Sequence, residues 1–206
     1  MYSRLFTDSV CHLCFSAADN TFPRKHEENK MRYENLPEIK KAKELCDSYG
    51  VRDSSPKIDL DKILLDNKIT LKESSLPSEV SGALDMRGTN RTILVNAAHS
   101  AVRKRFTIAH ELGHFFMKTS LNSVHMSAAT FFRNALSAKG TDSAEKQANR
   151  FAAELLMPSD ILRKKLLNAG NLLENDDGTK LKEIADEFGV SVSALTIKIG
   201  GLLKTL

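Results

Sequence analysis

From residue 37 onward the apolar positions fall into runs of recognisable period, and the change of period from run to run predicts the order of elements. Ile39, Ala42, Leu45, Cys46 and Tyr49 recur at helical spacing, with Pro37 at the start and Gly50 just past the end. Cys46 therefore reads as a core residue. Ile58, Leu60, Ile63, Leu64 and Leu65 suggest a second, shorter helix. Alternation then takes over: Ile69-Thr70-Leu71, Val80 to Asp85 and Arg91 to Asn96 read as strands, the last two joined by a turn at Arg87-Gly88-Thr89-Asn90. The result is a small, largely antiparallel sheet. A helix follows from near Ser100, and between Phe106 and Met117 it is apolar nearly all round, so it should be buried. Thr119 to Thr141 is less regular and reads as a loop or lid. Asp142 to Met157 is a helix with Ala148, Phe151 and Leu155 on its core stripe, stopped by Pro158. Ile161, Leu162, Leu166 and Leu167 make another, and Asn171 to Lys180 a polar loop. From Leu181 to Leu195 the pattern is helix, glycine turn, serine-capped helix, the outline of a helix-turn-helix. Residues 1–35 carry little periodic apolar content and read as an irregular extension, ahead of a domain at 36–158 and a C-terminal helical region at 159–206.

Composition changes this picture little. A chain of 206 residues fits one domain with an appendage. Its net charge of +4, from 30 basic and 26 acidic residues, argues neither for nor against a nucleic-acid partner. Three cysteines do not make a disulfide framework. Cys11 and Cys14, with His12 and His26 nearby, form either a small zinc site lacking its second half or part of an unstructured extension. No apolar run reaches the roughly 18 residues of a membrane span, so a cytoplasmic protein is expected.

The candidate chemistry lies in the buried helix. His110-Glu111-Leu112-Gly113-His114 spells H-E-x-x-H, which puts two imidazoles one turn apart on one face, the spacing at which they can share a Zn²⁺. Glu111 falls beside that face, where a zinc peptidase keeps its general base. Two histidines and a glutamate in a buried helix also need partners, because an unpaired buried polar group costs about 1–3 kcal/mol. On the second helix, Glu145 and Asn149 share a face at i, i+4. Glu145 is then a third ligand, with Asn149 accepting a hydrogen bond from a ligating histidine, or else half of a capping box with Asp142. His125, in the segment joining the two helices, is either the donor that stabilises an oxyanion or an ordinary exposed loop histidine. Arg103, Lys104 and Arg105 read as a solvated face in preference to a substrate-binding one.

Arg105-Phe106-Thr107-Ile108-Ala109-His110-Glu111-Leu112-Gly113-His114, followed by Glu145-x-x-Ala148-Asn149-x-Phe151-Ala152-Ala153-x-Leu155-Leu156-Met157-Pro158, resembles the ImmA/IrrE family of metallopeptidases, and the likeness extends from about residue 38 to 200. The resemblance implies a zincin-like α+β fold, one zinc ion on His110, His114 and Glu145, and a catalytic Glu111. It also implies a target in the form of a transcriptional repressor of a mobile-element, stress or toxin–antitoxin system. The competing reading is a transcriptional regulator or interaction module whose metal site is architectural. Two features weigh against it. A closed structural zinc site has no use for a carboxylate beside the metal. The second helix of the C-terminal pair shows only Ser193, Thr196 and Lys198 as polar residues for an outer face, too few for a DNA-reading helix.

Overall fold

A computed structural model describes residues 22–87, 90–118, 124–128, 143–169 and 178–203. In chain order the elements are α1 (Phe22–Glu34), α2 (Pro37–Ser48), α3 (Leu60–Asp66), β1 (Ile69–Ser74), β2 (Val80–Asp85), β3 (Arg91–Asn96), α4 (Ala101–Phe116), β4 (Val124–Ala128), α5 (Ser143–Leu156), α6 (Ser159–Asn168), α7 (Thr179–Phe188) and α8 (Val192–Leu203). Among the described residues, helices and a single sheet share the fold, which is of mixed α and β class. Among the described residues no helix is long and apolar enough to cross a membrane.

The sheet has four strands in the order β1-β3-β2-β4. β3 inserts between its two predecessors, antiparallel to β2 and parallel to β1, with Leu71 opposite Ile93 on one side and Leu84 opposite Ile93 on the other. β2 is buried from Ser81 through Leu84, as befits a strand flanked on both edges. Asn96 closes β3 and is itself buried: its Nδ2 donates to the carbonyls of Leu76, Pro77 and Val80, while its Oδ1 accepts from the Ala98 amide. That one side chain ties the β1–β2 connection to the lead-in of α4. α4 lies against β2 and β3 on one side and along α5 on the other, and α5 in turn rests on α2.

Local chemistry accounts for most boundaries. Asp59 caps α3 by accepting from the Lys62 amide at 3.0 Å. Gly189 ends α7 in the left-handed region (φ 67°), and Ser191 then accepts from the Ala194 amide at 3.1 Å to start α8, giving the helix pair outlined in the sequence. One apolar cluster runs from Ala42 and Leu45 through Leu84, Ile93, Leu112, Phe151 and Leu155 to Ile184, Phe188, Leu195 and Leu202. The C-terminal helices thus share a core with the sheet and α4.

Several expectations are corrected. The extension expected to be irregular through residue 35 contains α1: its Arg, Lys, Glu and Met residues favour a helix, and Pro23 sits in the first turn, although the segment has no apolar stripe to announce it. Residues 1–21, with Cys11, His12 and Cys14, lie outside the described residues, as does the side chain of His26. The segment after α4 contributes β4, paired with β2, where a loop was expected. Leu65, counted with the apolar positions of α3, is 75% exposed. The basic residues of α4 are not a free solvated face. Lys104 pairs with Glu73 of β1 at 2.7 Å, Arg105 donates to the Ile58 carbonyl at 2.6 Å, and Arg103 reaches the Ser81 hydroxyl. Lys198, expected on the outer face of α8, is buried.

Candidate metal centre

α4 is buried from Phe106 to His114, as its all-round apolar pattern requires. His110 and His114 project from it toward α5 with their Nε2 atoms 3.0 Å apart and their rings edge to face. Near the start of α5, Glu145 presents one carboxylate oxygen 3.3 Å from His110 Nε2 and the other 3.0 Å from His114 Nε2. The three side chains form a cluster whose donor atoms all lie within 4.8 Å of one another and which could hold a metal ion.

The donor set fits a divalent cation. One turn along α5, Asn149 Oδ1 lies 3.0 Å from His110 Nδ1. A carboxamide oxygen has no proton to give, so the ring must donate from Nδ1, and a neutral imidazole then carries its lone pair on Nε2. Burial pushes the His110 pKa below the ordinary imidazole value, more than its contact with Glu145 raises it. A neutral nitrogen lone pair and a carboxylate thus face the same small space from two helices, the combination in which zinc is bound by proteins.

Glu111 is wholly buried on the flank of α4 nearest β2. Gly82 of β2 lies beside it: a Cβ there would overlap the Thr107 methyl and lie 2.7 Å from the Leu94 carbonyl, while its 3.6 Å approach to Glu111 Oε1 would be ordinary contact. The sequence offered no hint of Gly82, which looks like any glycine in a strand. His125 pairs with Leu84 through β4, and its side chain lies outside the described residues, as does Asp142 of the alternative capping box. The two described phenols serve other partners: Tyr49 donates to Asp66 and Tyr33 to Glu154.

α5 carries a second buried carboxylate, which went unnoticed in the sequence. Glu154 Oε2 accepts from Lys198 Nζ of α8 at 2.6 Å, from the Ser159 hydroxyl at 2.6 Å and from the Tyr33 hydroxyl at 3.3 Å, while Oε1 accepts from the Ser159 amide at 3.0 Å. Burial by itself would raise the Glu154 pKa, but Lys198 and Ser159 together hold it below the ordinary value. Burial likewise opposes the Lys198 charge, and Glu154 with Tyr33 reverses that. Glu38 of α2, also buried, takes Arg150 Nε at 2.6 Å. The helix bearing Glu145 and Asn149 is therefore tied to α2 through Arg150 and to α8 through Glu154.

Two imidazoles from one helix and a carboxylate from the next form a cluster that could hold a cation, with the donor types used by hydrolases that carry a divalent metal. The family described as IrrE N-terminal-like domain, the M78 peptidases, matches residues 66–199, and the chain belongs to this ImmA/IrrE family. A curated relative, described as uncharacterized immunity region protein 2 of Bacillus phage phi105, is 31% identical over 84 residues. That match takes in 41% of this chain and 49% of the phage protein, so the chain spans about half the length of the relative.

Proposed function

We propose that the protein is a zincin-like metallo-endopeptidase that holds one zinc ion on His110, His114 and Glu145 and uses Glu111 as general base. The observation that carries the reading is the meeting of Glu145 with both Nε2 atoms at 3.0 and 3.3 Å across two helices. A divalent cation held there supplies Lewis acidity toward the scissile carbonyl and the attacking water. Glu111, next to the first ligand on α4, takes a proton from that water on its carboxylate and returns it to the leaving amine nitrogen. Asn149 fixes the His110 ring through Nδ1, which orients its other nitrogen. His125, in an edge strand of the sheet, is the candidate to donate to the tetrahedral oxyanion. If it does, His125→Ala lowers kcat by about 10²–10³ with metal content unchanged, and a fall under about threefold removes it from the mechanism.

We infer that the substrate is a protein, specifically a transcriptional repressor. The support is the peptidase family together with the phage relative, whose name assigns it to an immunity region. We take residues 36–158 as the peptidase unit and 159–206 as a C-terminal region whose helices α6, α7 and α8 pack on it. Two edge strands, β1 and β4, offer main-chain groups to an extended peptide. The reading as a DNA-binding regulator is not favoured by α8, whose exposed positions are Val192, Ser193, Thr196, Ile197, Gly200, Gly201 and Leu203, none of them cationic.

The test is metal analysis followed by cleavage. Purified protein should carry about one zinc per chain, lost alike in His110→Ala and Glu145→Ala. Glu111→Gln should keep the metal and lose proteolysis of a repressor encoded beside the protein. Undiminished metal in Glu145→Ala, or cleavage by Glu111→Gln, would refute the assignment.

A further inference from the structure

α4 and α5 come close together at Gly113 and Ala148, where neither has a side chain longer than a methyl. A Cβ placed on Gly113 would lie 2.9 Å from Ala148 Cα, 3.1 Å from its carbonyl oxygen and 3.2 Å from its Cβ. Two of the three obstructing atoms are backbone, so no rotamer change relieves them. Only a movement of α5 away from α4 does. This contact lies within the metal centre in sequence as well as in space. Gly113 adjoins His114, Ala148 adjoins Asn149, and Glu145 is one turn before Ala148. The three short distances that join the helices, Glu145 to His114, Glu145 to His110 and Asn149 to His110, all bridge the same gap.

We propose that Gly113 is a positioning residue of the metal centre: its missing side chain against Ala148 sets the separation of α4 and α5, and with it the size of cation that His110, His114 and Glu145 hold. This rests on the ligand set proposed above. The magnitudes favour it. Relieving contacts this tight requires a shift of at least a few tenths of an ångström, whereas a metal site tolerates changes in ligand distance of only about 0.2 Å. Packing elsewhere along the two helices absorbs such a shift at modest cost, because interhelical distances range over about 8–10 Å with the side chains at the contact. Three donors that must converge on one small ion cannot absorb it. A methyl at residue 113 opens the donor triangle on its Glu145 side and turns the site from one suited to zinc, at about 2.0–2.1 Å, toward a larger cation.

The experiment uses the full-length apoprotein, the metals alone as probes, and no peptide substrate. Zn²⁺ and Cd²⁺ affinities are measured by chelator competition, and the visible spectrum is recorded with Co²⁺ as a reporter of coordination geometry. Gly113→Ala is expected to lower Zn²⁺ affinity by at least about tenfold and Cd²⁺ affinity by much less, with weakened tetrahedral Co²⁺ bands and a far-UV spectrum like that of the wild type. If Gly113→Ala does not fold, the swap Gly113→Ala/Ala148→Gly, which moves the methyl from one helix to the other at constant volume, is measured in its place. The backbone clash persists in the swap, so the same change in preference is expected. A folded variant whose Zn²⁺/Cd²⁺ ratio and Co²⁺ spectrum match the wild type within about twofold overturns the positioning role, since a merely structural glycine would leave both unchanged. Wild-type protein that binds none of the three metals overturns the proposed ligand set, and the positioning role with it.

Discussion

Removing the charge of Lys198 tests the buried network that joins α8 to α5. In Lys198→Met the stem remains to fill its space, and the Glu154 carboxylate, with no exposed surface, loses its counter-ion. Breaking a buried ion pair from one side costs about 3–5 kcal/mol. Glu154 would still accept from the Ser159 hydroxyl, the Ser159 amide and the Tyr33 hydroxyl, so the carboxylate would not be bare. The lower end, about 3 kcal/mol, is therefore expected, equivalent to roughly 6–12 °C in Tm for a chain of this size. The sign of the pH dependence follows from Glu154, whose folded pKa lies below its ordinary value. In the wild type its contribution is present above the unfolded pKa and is lost as pH falls through the folded one. Once Lys198 is gone, only Ser159 and Tyr33 oppose the upward push of burial on the Glu154 carboxyl, so the deficit of the variant should be full where that carboxyl is ionised in the folded variant and shrink on acidification as Glu154 takes up a proton. Adding Glu154→Gln, which removes the stranded charge, should recover at least about 1.5 kcal/mol relative to Lys198→Met alone. The assay is urea unfolding of metal-stripped protein at several pH values, so that metal binding does not mask the change. A loss under about 1 kcal/mol at neutral pH, or one that grows on acidification, would refute the reasoning.

Two further outcomes are expected. Asn149→Ala should weaken metal binding by about 10–100-fold in chelator competition while leaving the unfolding free energy of the apoprotein within about 1 kcal/mol, because it removes only the partner of His110 Nδ1; equal metal affinity would show that the ring needs no such brace. Gly82→Ala should cost about 1–3 kcal/mol of stability in urea unfolding through overlap with Thr107 and Leu94, and adding Thr107→Ser, which removes the offending methyl, should return part of it. No recovery in the double variant would place the strain on the Leu94 carbonyl alone.

What could be read from the sequence was whatever repeats within one element. The all-round apolar character of Phe106 to His114 announced a buried helix, and i, i+4 spacing put His110 with His114 and Glu145 with Asn149 on common faces, because helical geometry fixes those relations locally. What could not be read depends on partners far along the chain. Lys198 sits where α8 looks outward in isolation, and Glu154, 44 residues earlier, together with Tyr33 draws it inside. β4 has His125, Met126 and Ser127 where a strand would favour β-branched residues, and it is a strand because β2 offers an open edge. β1 and β3 pair directly and in parallel although β2 lies between them in sequence, which no alternation of apolar residues could signal. Gly82 and Gly113 matter for atoms they lack, and such an absence has no pattern.

The position of β3 has a consequence for how the protein opens. It is hydrogen-bonded on both sides, to β1 and to β2, and it runs through Asn96 almost directly into α4. Amides of β3 should therefore exchange with solvent only by global or near-global unfolding, while those facing outward on β1 and β4 exchange through local fraying. The histidine-bearing helix thus grows from the slowest-exchanging part of the sheet. Fluctuations of an edge strand, of the size needed to admit another extended chain, would reach His110 and His114 last.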